Sequence, residues 1–352
     1  IIEAKKTTDS FTWDLVAKNN INFVQNKLMK YKPSYFKLGV LTTWDSRCGI
    51  ASYSKNLFSD INEELVIFSP YHEISLNNSE KVLQSWHLDN KKQNFKNLLK
   101  IIIAENITTL FIQFNYGFFS FERLSELIDQ LYNNNINVVI LLHSTTDPEN
   151  DSTKKLVDLK NAFSKCDRLL VHSLKDLNRL KCIGITKNVT LLTHGIVDVL
   201  PQVNYLQNFY NKVKYFSLKR VASYGFCLPN KGYEQLIEAV NLLRNTDLNL
   251  HLTIFSAIYS EQYQYVYEQL IQLVHDLKLE SSIKIVKTYM SDQDTINNLN
   301  QFDCLVFPYQ NSNESSSAAV RHGLASLRPV LVTPGNIFSD VCEFVEQLPG
   351  QS

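Results

Sequence analysis

No apolar run in this chain approaches the roughly 20 residues that a membrane-spanning helix needs; the IIIA tract at 101–104 falls far short. Net charge is also lacking. Lys and Arg number 35 and cancel 35 Asp and Glu, so no global field favours nucleic acid. The six cysteines form no C-x-x-C pair, and Cys227 and Cys304 lie in or beside apolar strands. They read as buried thiols of a reducing cytosol. H-x-H, H-E-x-x-H and acidic pairs at metal spacing are absent too, so no metal is expected. Short repeats and low-complexity tracts are missing as well. What remains is an ordinary globular composition, 44% apolar and 20% charged, over 352 residues. That length suffices for two domains, each with its own core.

From about residue 37, short apolar runs alternate with helix-length amphipathic stretches. The expected strands are KLGVLTT (37–43), ELVIFSP (64–70), TTLFIQF (108–114), NVVILLH (137–143), RLLVHS (168–173) and VTLLTHGI (189–196). FERLSELIDQLYNNN and STKKLVDLKNAFSKC read as helices between them. A strandless connector follows at 201–219. The alternation then resumes with VASYGF (221–226), LHLTIFSA (250–257), IKIVKTYM (283–290), CLVFPY (304–309) and PVLVT (329–333). Near-continuous Val/Ile/Leu runs indicate strands covered on both faces, as in parallel sheets with crossover helices. The pattern predicts two doubly wound α/β domains, 35–200 and 220–352, facing a cleft at the carboxyl ends of their strands. Residues 1–34 stand apart, with Trp13, Val16, Phe23 or Val24, and Leu28 at helical spacing.

Three strand-to-helix junctions carry anion-friendly chemistry. In TTWDSRCGIASYS (42–54), Gly49 and Ala51 let backbone amides approach a ligand at a helix start, and Arg47 adds a positive charge. In GFCLPNKGYEQLIEA (225–239), Lys231 precedes Gly232 at a second helix start, where a cation opposes the dipole unless an anion joins it. In PYQNSNESSSAAVRHGLA (308–325), a helix beginning near Ser315 would offer the amides and hydroxyls of Ser315, Ser316 and Ser317 as an anion nest. Glu314 stands at its mouth, and His322 lies about two turns further along the same face. Such a strip spans a nucleotide sugar. His172 and His194 end strands and read as structural. KKQNFKNLLK (91–100) reads as a short helix with four lysines beside Phe95, Leu98 and Leu99, first as a solvated face and only second as a peripheral contact for an anionic membrane surface.

These stretches, with IQFNYGFF (112–119), VVILLH (138–143), LLVHSLKDLNRL (169–180), THGI (193–196), SYGFCLPNKG (223–232) and ESSSAAVRHGLASLRPVLVTP (314–334), resemble the retaining glycosyltransferases of family 4 with a "CGIA" start. The resemblance runs over about residues 37–348. It implies the GT-B fold, two Rossmann-like domains facing a cleft, with no metal or other cofactor. It implies that Glu314 contacts the donor sugar, that Lys231 contacts the diphosphate and that His143 lies near the transferred sugar. Gly49 and Gly225 would border the donor, with Arg47 and Arg321 as further cations. Three positions depart from the family pattern. His322 stands where a second Glu grips the ribose, so exchange for Glu is expected to tighten donor binding. Phe226 stands where many members carry an Arg, and Phe114-Asn115 where related members often have His-Glu. The 1–34 helix resembles the last helix of such a domain. It is therefore expected to be the tail of an upstream glycosyltransferase domain, and the final crossover helix of 220–352 is expected to be missing.

The expected activity is transfer of a hexosyl group, with retention, from a nucleotide-diphosphate sugar to a saccharide or lipid-linked saccharide hydroxyl in surface polysaccharide synthesis. The expected location is the cytoplasm, with peripheral contact at the inner membrane face. The alternative is a non-catalytic GT-B scaffold or saccharide-binding module within a multidomain synthase. A weaker one is an epimerase or hydrolase of sugar nucleotides.

Overall fold

A computed structural model describes residues 36–61, 64–71, 81–149, 151–202, 219–244, 246, 249–312 and 314–350, together with Lys18. The helix expected over 1–34 and nearly all of the connector lie outside the described residues. The described chain forms two compact units. One holds 36–194 with 314–316, the other 195–312 with 317–350.

The N-terminal unit runs β1 (Leu38–Leu41), α1 (Gly49–Phe58), β2 (Leu65–Pro70), β3 (Lys81–Trp86), α2 (Lys96–Ala104), β4 (Thr109–Phe114), α3 (Phe121–Asn133), β5 (Asn137–Leu142), a 3-10 turn (Leu156–Leu159), α4 (Lys160–Phe163), β6 (Arg168–Val171), α5 (Leu174–Cys182) and β7 (Val189–Leu191). Its strands lie in the order β3-β2-β1-β4-β5-β6-β7, all parallel. Every residue of β4 is buried, as the unbroken TLFIQF run requires of a strand covered on both faces. The covering helices are amphipathic. In α3, Phe121, Leu124, Leu127, Ile128 and Leu131 form the buried stripe.

The C-terminal unit runs β8 (Lys219–Phe226), α6 (Tyr233–Leu243), β9 (Leu250–Ala257), α7 (Gln264–Asp276), β10 (Ile283–Val286), α8 (Asp292–Leu299), β11 (Cys304–Phe307), α9 (Ala318–Ala325), β12 (Val330–Val332) and β13 (Glu346–Gln347). The order is β10-β9-β8-β11-β12-β13, again all parallel. Ile196 packs here against Ile296 of α8 and Ala325 of α9. Both sheets reverse direction at their first strand, between β1 and β4 and between β8 and β11. Open α/β sheets receive ligands beyond the strand ends at such a switch point. In the second sheet, β8 pairs β9 from Lys219↔Leu250 to Phe226↔Ala257, whereas β11 joins β8 only at Val221 and Ala222. The last four residues of β8 therefore run on beside β9 alone.

Several elements differ from the sequence expectation. β3, KVLQSW, was not among the expected strands because polar Lys81 and Gln84 interrupt its apolar pattern; only Ser85 and Trp86 are fully buried. β13 is two exposed residues. The 91–100 helix starts instead at Lys96, and Phe95 and Leu98 are buried in the core. The 152–166 stretch gives only the 3-10 turn and the four-residue α4. Among the described residues, no helix is long and apolar enough to cross a membrane.

Candidate active site

The β1–α1 junction of the N-terminal unit turns through buried Thr42, Thr43 and Trp44 into an open helix start. Cys48 precedes α1 without a side-chain cap, and the first turn holds no acidic residue. A Cβ built on Gly49 would meet nothing within 4 Å. The start of α1 thus carries no side-chain cap and leaves room beside Gly49, at the end where a helix dipole favours an anion. Arg47 is exposed on the same loop. Lys55, in the last turn, pairs with Asp45.

Tyr53, in the middle of α1, packs edge-on against three histidines. Ring centroids lie 4.9 Å away for His143, 5.4 Å for His172 and 4.8 Å for His194. His172 Nδ1 lies 2.9 Å from the Leu192 carbonyl oxygen, a structural tie. His143 follows β5 directly, and its Nε2 lies 2.7 Å from Gln113 Oε1 at the end of β4. With that oxygen as acceptor, Nε2 carries the proton and Nδ1 is left as an acceptor. Loss of hydration, and then the neighbouring His172, lower the His143 pKa well below the ordinary histidine value. The ring is thus neutral at neutral pH. The unfolded chain takes up its proton near pH 6.5 and the folded chain only at lower pH. This group therefore contributes full stability above pH 6.5 and loses it as pH falls. An NMR titration should find the His143 imidazole still neutral at pH 6; a midpoint at or above 6.5 would contradict the burial argument.

In the C-terminal unit, the β8–α6 turn is locked onto the end of β11. Gly232 has φ +74°, and a Cβ there would stand 1.7 Å from the Pro308 carbonyl oxygen, so no side chain fits. Gln310 N–H donates to the Asn230 carbonyl at 2.9 Å, closing the same contact. Between these anchors, the Lys231 ammonium lies 3.9 Å from the centre of the Tyr309 ring. α6 begins after Gly232 with no side-chain cap. Gly225, with φ +153°, sits beside the Tyr233 and Tyr309 hydroxyls and Ala319 of α9. Burial pushes the Tyr233 phenol well above its ordinary pKa, so it stays neutral. Phe226 packs with Tyr259 at 5.4 Å and stacks on Tyr289 at 6.0 Å.

The helix expected from Ser315 begins instead at Ala318, capped by Ser317, whose hydroxyl accepts from Val320 N–H at 3.3 Å. Ser315 is committed to the N-terminal unit. Its N–H donates to the His143 carbonyl at 3.3 Å and its hydroxyl to Asp176 Oδ1 at 2.8 Å. Glu314 is exposed beside it and Ser316 half-buried. Arg321 is buried and turned to Asp340 and to the Ser317 carbonyl, so its charge is neutralised within the fold. His322 Nδ1 faces the Ala318 carbonyl at 3.0 Å, and Nε2 faces Asp292 Oδ1 at 2.9 Å. Both ring nitrogens are engaged. A Glu at 322 would meet Asp292 with like charge, which removes the reason to expect tighter donor binding from that exchange.

Gly49, His143, Glu314, Ser315 and Ser316 thus belong to one unit, and Gly225, Lys231, Ser317, Arg321 and His322 to the other. Gln113, Asp176 and Tyr53 emerge only from the structure. For Asp176 a signal was present, the S-x-x-D capping pattern at 173–176. Gln113 had none beyond its place at a strand end. No group of three or more His, Cys, Asp or Glu among the described residues is placed to hold a metal ion.

No protein-family model matches the sequence, and neither does any curated protein. Solved structures match in fold. The HepE protein Alr3699 of Anabaena, solved with UDP, has a TM-score of 0.69 at 11% identity, over 90% of this chain and 86% of that one. The fold is the GT-B fold. Sucrose-phosphate synthase of Thermosynechococcus elongatus gives 0.68 at 11% identity, over 90% and 87% of the two chains. A glycosyltransferase of Rickettsia africae gives 0.65 at 12%, over 91% and 86%. At these identities the likeness to GT-B proteins carries the fold alone. The residues must carry the chemistry.

Proposed function

We propose that this chain is a glycosyltransferase that moves a hexosyl group from a nucleotide-diphosphate sugar to a saccharide hydroxyl, with retention of configuration. The observation that carries this reading is the β8–α6 turn, where a lysine is held at an uncapped helix start beside a sheet switch point. A diphosphate supplies the negative charge that such a cation and dipole share. UDP is the first nucleotide to consider, because Alr3699/HepE was solved with UDP and with UDP-glucose. We place the work in surface polysaccharide synthesis on the cytoplasmic side, with a saccharide or lipid-linked saccharide as acceptor.

No protein nucleophile is assigned. The acceptor oxygen attacks the anomeric carbon from the face that the diphosphate leaves. The bond from that carbon to the phosphate oxygen breaks, and this oxygen takes the acceptor proton. Catalysis then rests on positioning and on stabilising the departing diphosphate, by Lys231 and the first amides of α6. Glu314 orients the sugar hydroxyls, and the neutral His143 lies by the transferred sugar. Glu314→Gln should therefore impair transfer more than binding of the nucleoside diphosphate, which lacks the sugar. Equal loss of both would contradict this placing of the carboxylate.

Proton NMR of a panel of α-linked nucleotide sugars with saccharide acceptors tests the reaction: α-configured product is expected first, and β-configured product would refute retention. Phe226 among its aromatic neighbours and His322 bound to Asp292 favour a second reading, a non-catalytic saccharide-binding module. Binding without turnover of any donor would select it.

A further inference from the structure

Asp176 lies in the first turn of α5 and is buried at 3% exposure. Its Oδ1 accepts from the Thr145 hydroxyl at 2.6 Å and from the Ser315 hydroxyl at 2.8 Å. Its Oδ2 accepts from the Ser173 hydroxyl, which in turn accepts from the Asp176 N–H at 3.2 Å. Capping α5 needs only that last bond, so the buried carboxylate exceeds what the helix requires. Burying a carboxylate is costly unless hydrogen bonds compensate, and here three hydroxyls do so, with no Lys or Arg paired to it among the described residues. An ionised carboxylate only accepts. It therefore forces Thr145 and Ser315 to donate and fixes both hydroxyl orientations.

Ser315 is held twice, by Asp176 through its hydroxyl and by the His143 carbonyl through its N–H. Glu314 is its chain neighbour. We propose that Asp176 is a positioning residue for glycosyl transfer, a buried tether that holds Ser315 and thereby sets where Glu314 stands relative to His143. The inference rests on the transferase reading for its purpose, though the tether can be tested without it. Misplacing a substrate-orienting group by about 1 Å can cost two orders of magnitude in rate.

The test is a double-mutant cycle on the whole chain with two readouts. Asp176→Ala and Ser315→Ala should each lower kcat about 10-fold or more while the donor KM stays nearly constant. The double variant should be no worse than either single one, because both remove the same tether. Asp176→Asn, which keeps Oδ1 as acceptor, should restore most of kcat. Hydrogen exchange supplies the second readout. The amides of 314–317 should exchange faster in both single variants, with α5 still protected because Ser173 continues to cap it. Ser315→Ala leaves the Thr145 and Ser173 bonds in place and so serves if Asp176→Ala fails to fold. Unchanged exchange at Ser315 in Ser315→Ala, or additive kcat losses, would overturn the tether. A wild type that transfers sugar while both variants keep full kcat would refute the positioning role alone. A wild type that transfers no sugar refutes the reaction and the role together, and exchange still decides the tether.

Discussion

Replacing Lys231 by alanine is expected to lower turnover about 100-fold or more, the scale on which enzymes lose one preorganised donor aimed at developing charge. The side chain is set up for that purpose. Lys231 precedes the Gly232 cap of α6, where the cation and the positive end of the helix dipole both favour an anion. The Tyr309 ring face at 3.9 Å holds the ammonium in place. A departing diphosphate gains from both the cation and the dipole, and gains most as its charge grows. kcat and kcat/KM should therefore fall together. Lys231→Arg should recover only part of the rate, since a planar fork does not reproduce a point charge seated on a ring. A loss under tenfold for the alanine variant would contradict the assignment.

Gly232→Ala is expected to have the largest effect on stability. The new Cβ would stand 1.7 Å from the Pro308 carbonyl oxygen, a backbone atom, at φ +74°. Neither strain can relax cheaply, because Gln310 binds the same turn through Asn230. A loss of about 3 kcal/mol or more in urea unfolding is expected, at the upper end of single substitutions. Gly49→Ala gives the contrast. Nothing lies within 4 Å of its Cβ position, so stability should move by less than about 1 kcal/mol. A Gly232→Ala variant as stable as wild type would show that the turn is not locked onto β11.

Much of the fold was legible because parallel strands covered on both faces are written as unbroken apolar runs. LHLTIFSA was expected at 250–257, and β9 occupies those residues. KVLQSW was illegible because an edge strand need bury only its end. The helix at 318 was misplaced by three residues for a physical reason. ESSS offers three candidate caps in a row, and long-range bonds to His143 and Asp176 decide that Ser315 is not the one. No local pattern encodes a partner 139 residues away. The same limit applies to Arg321 and His322. Sequence offered them as ligand contacts, but Asp340 and Asp292 claim them in the fold. The Lys231–Gly232 turn was legible through its local part, a glycine where φ is positive and a cation at a helix start, while its lock onto Pro308 and Gln310 was not.

Binding of a nucleotide-diphosphate donor through the β8–α6 turn underlies the proposed transfer. Isothermal calorimetry with UDP, GDP, ADP and TDP at millimolar concentration tests it most directly. Saturable binding of one of the four by the wild type is expected, and its loss in Lys231→Ala. No heat with any of them from protein confirmed to be folded, or equal binding by Lys231→Ala, would contradict it.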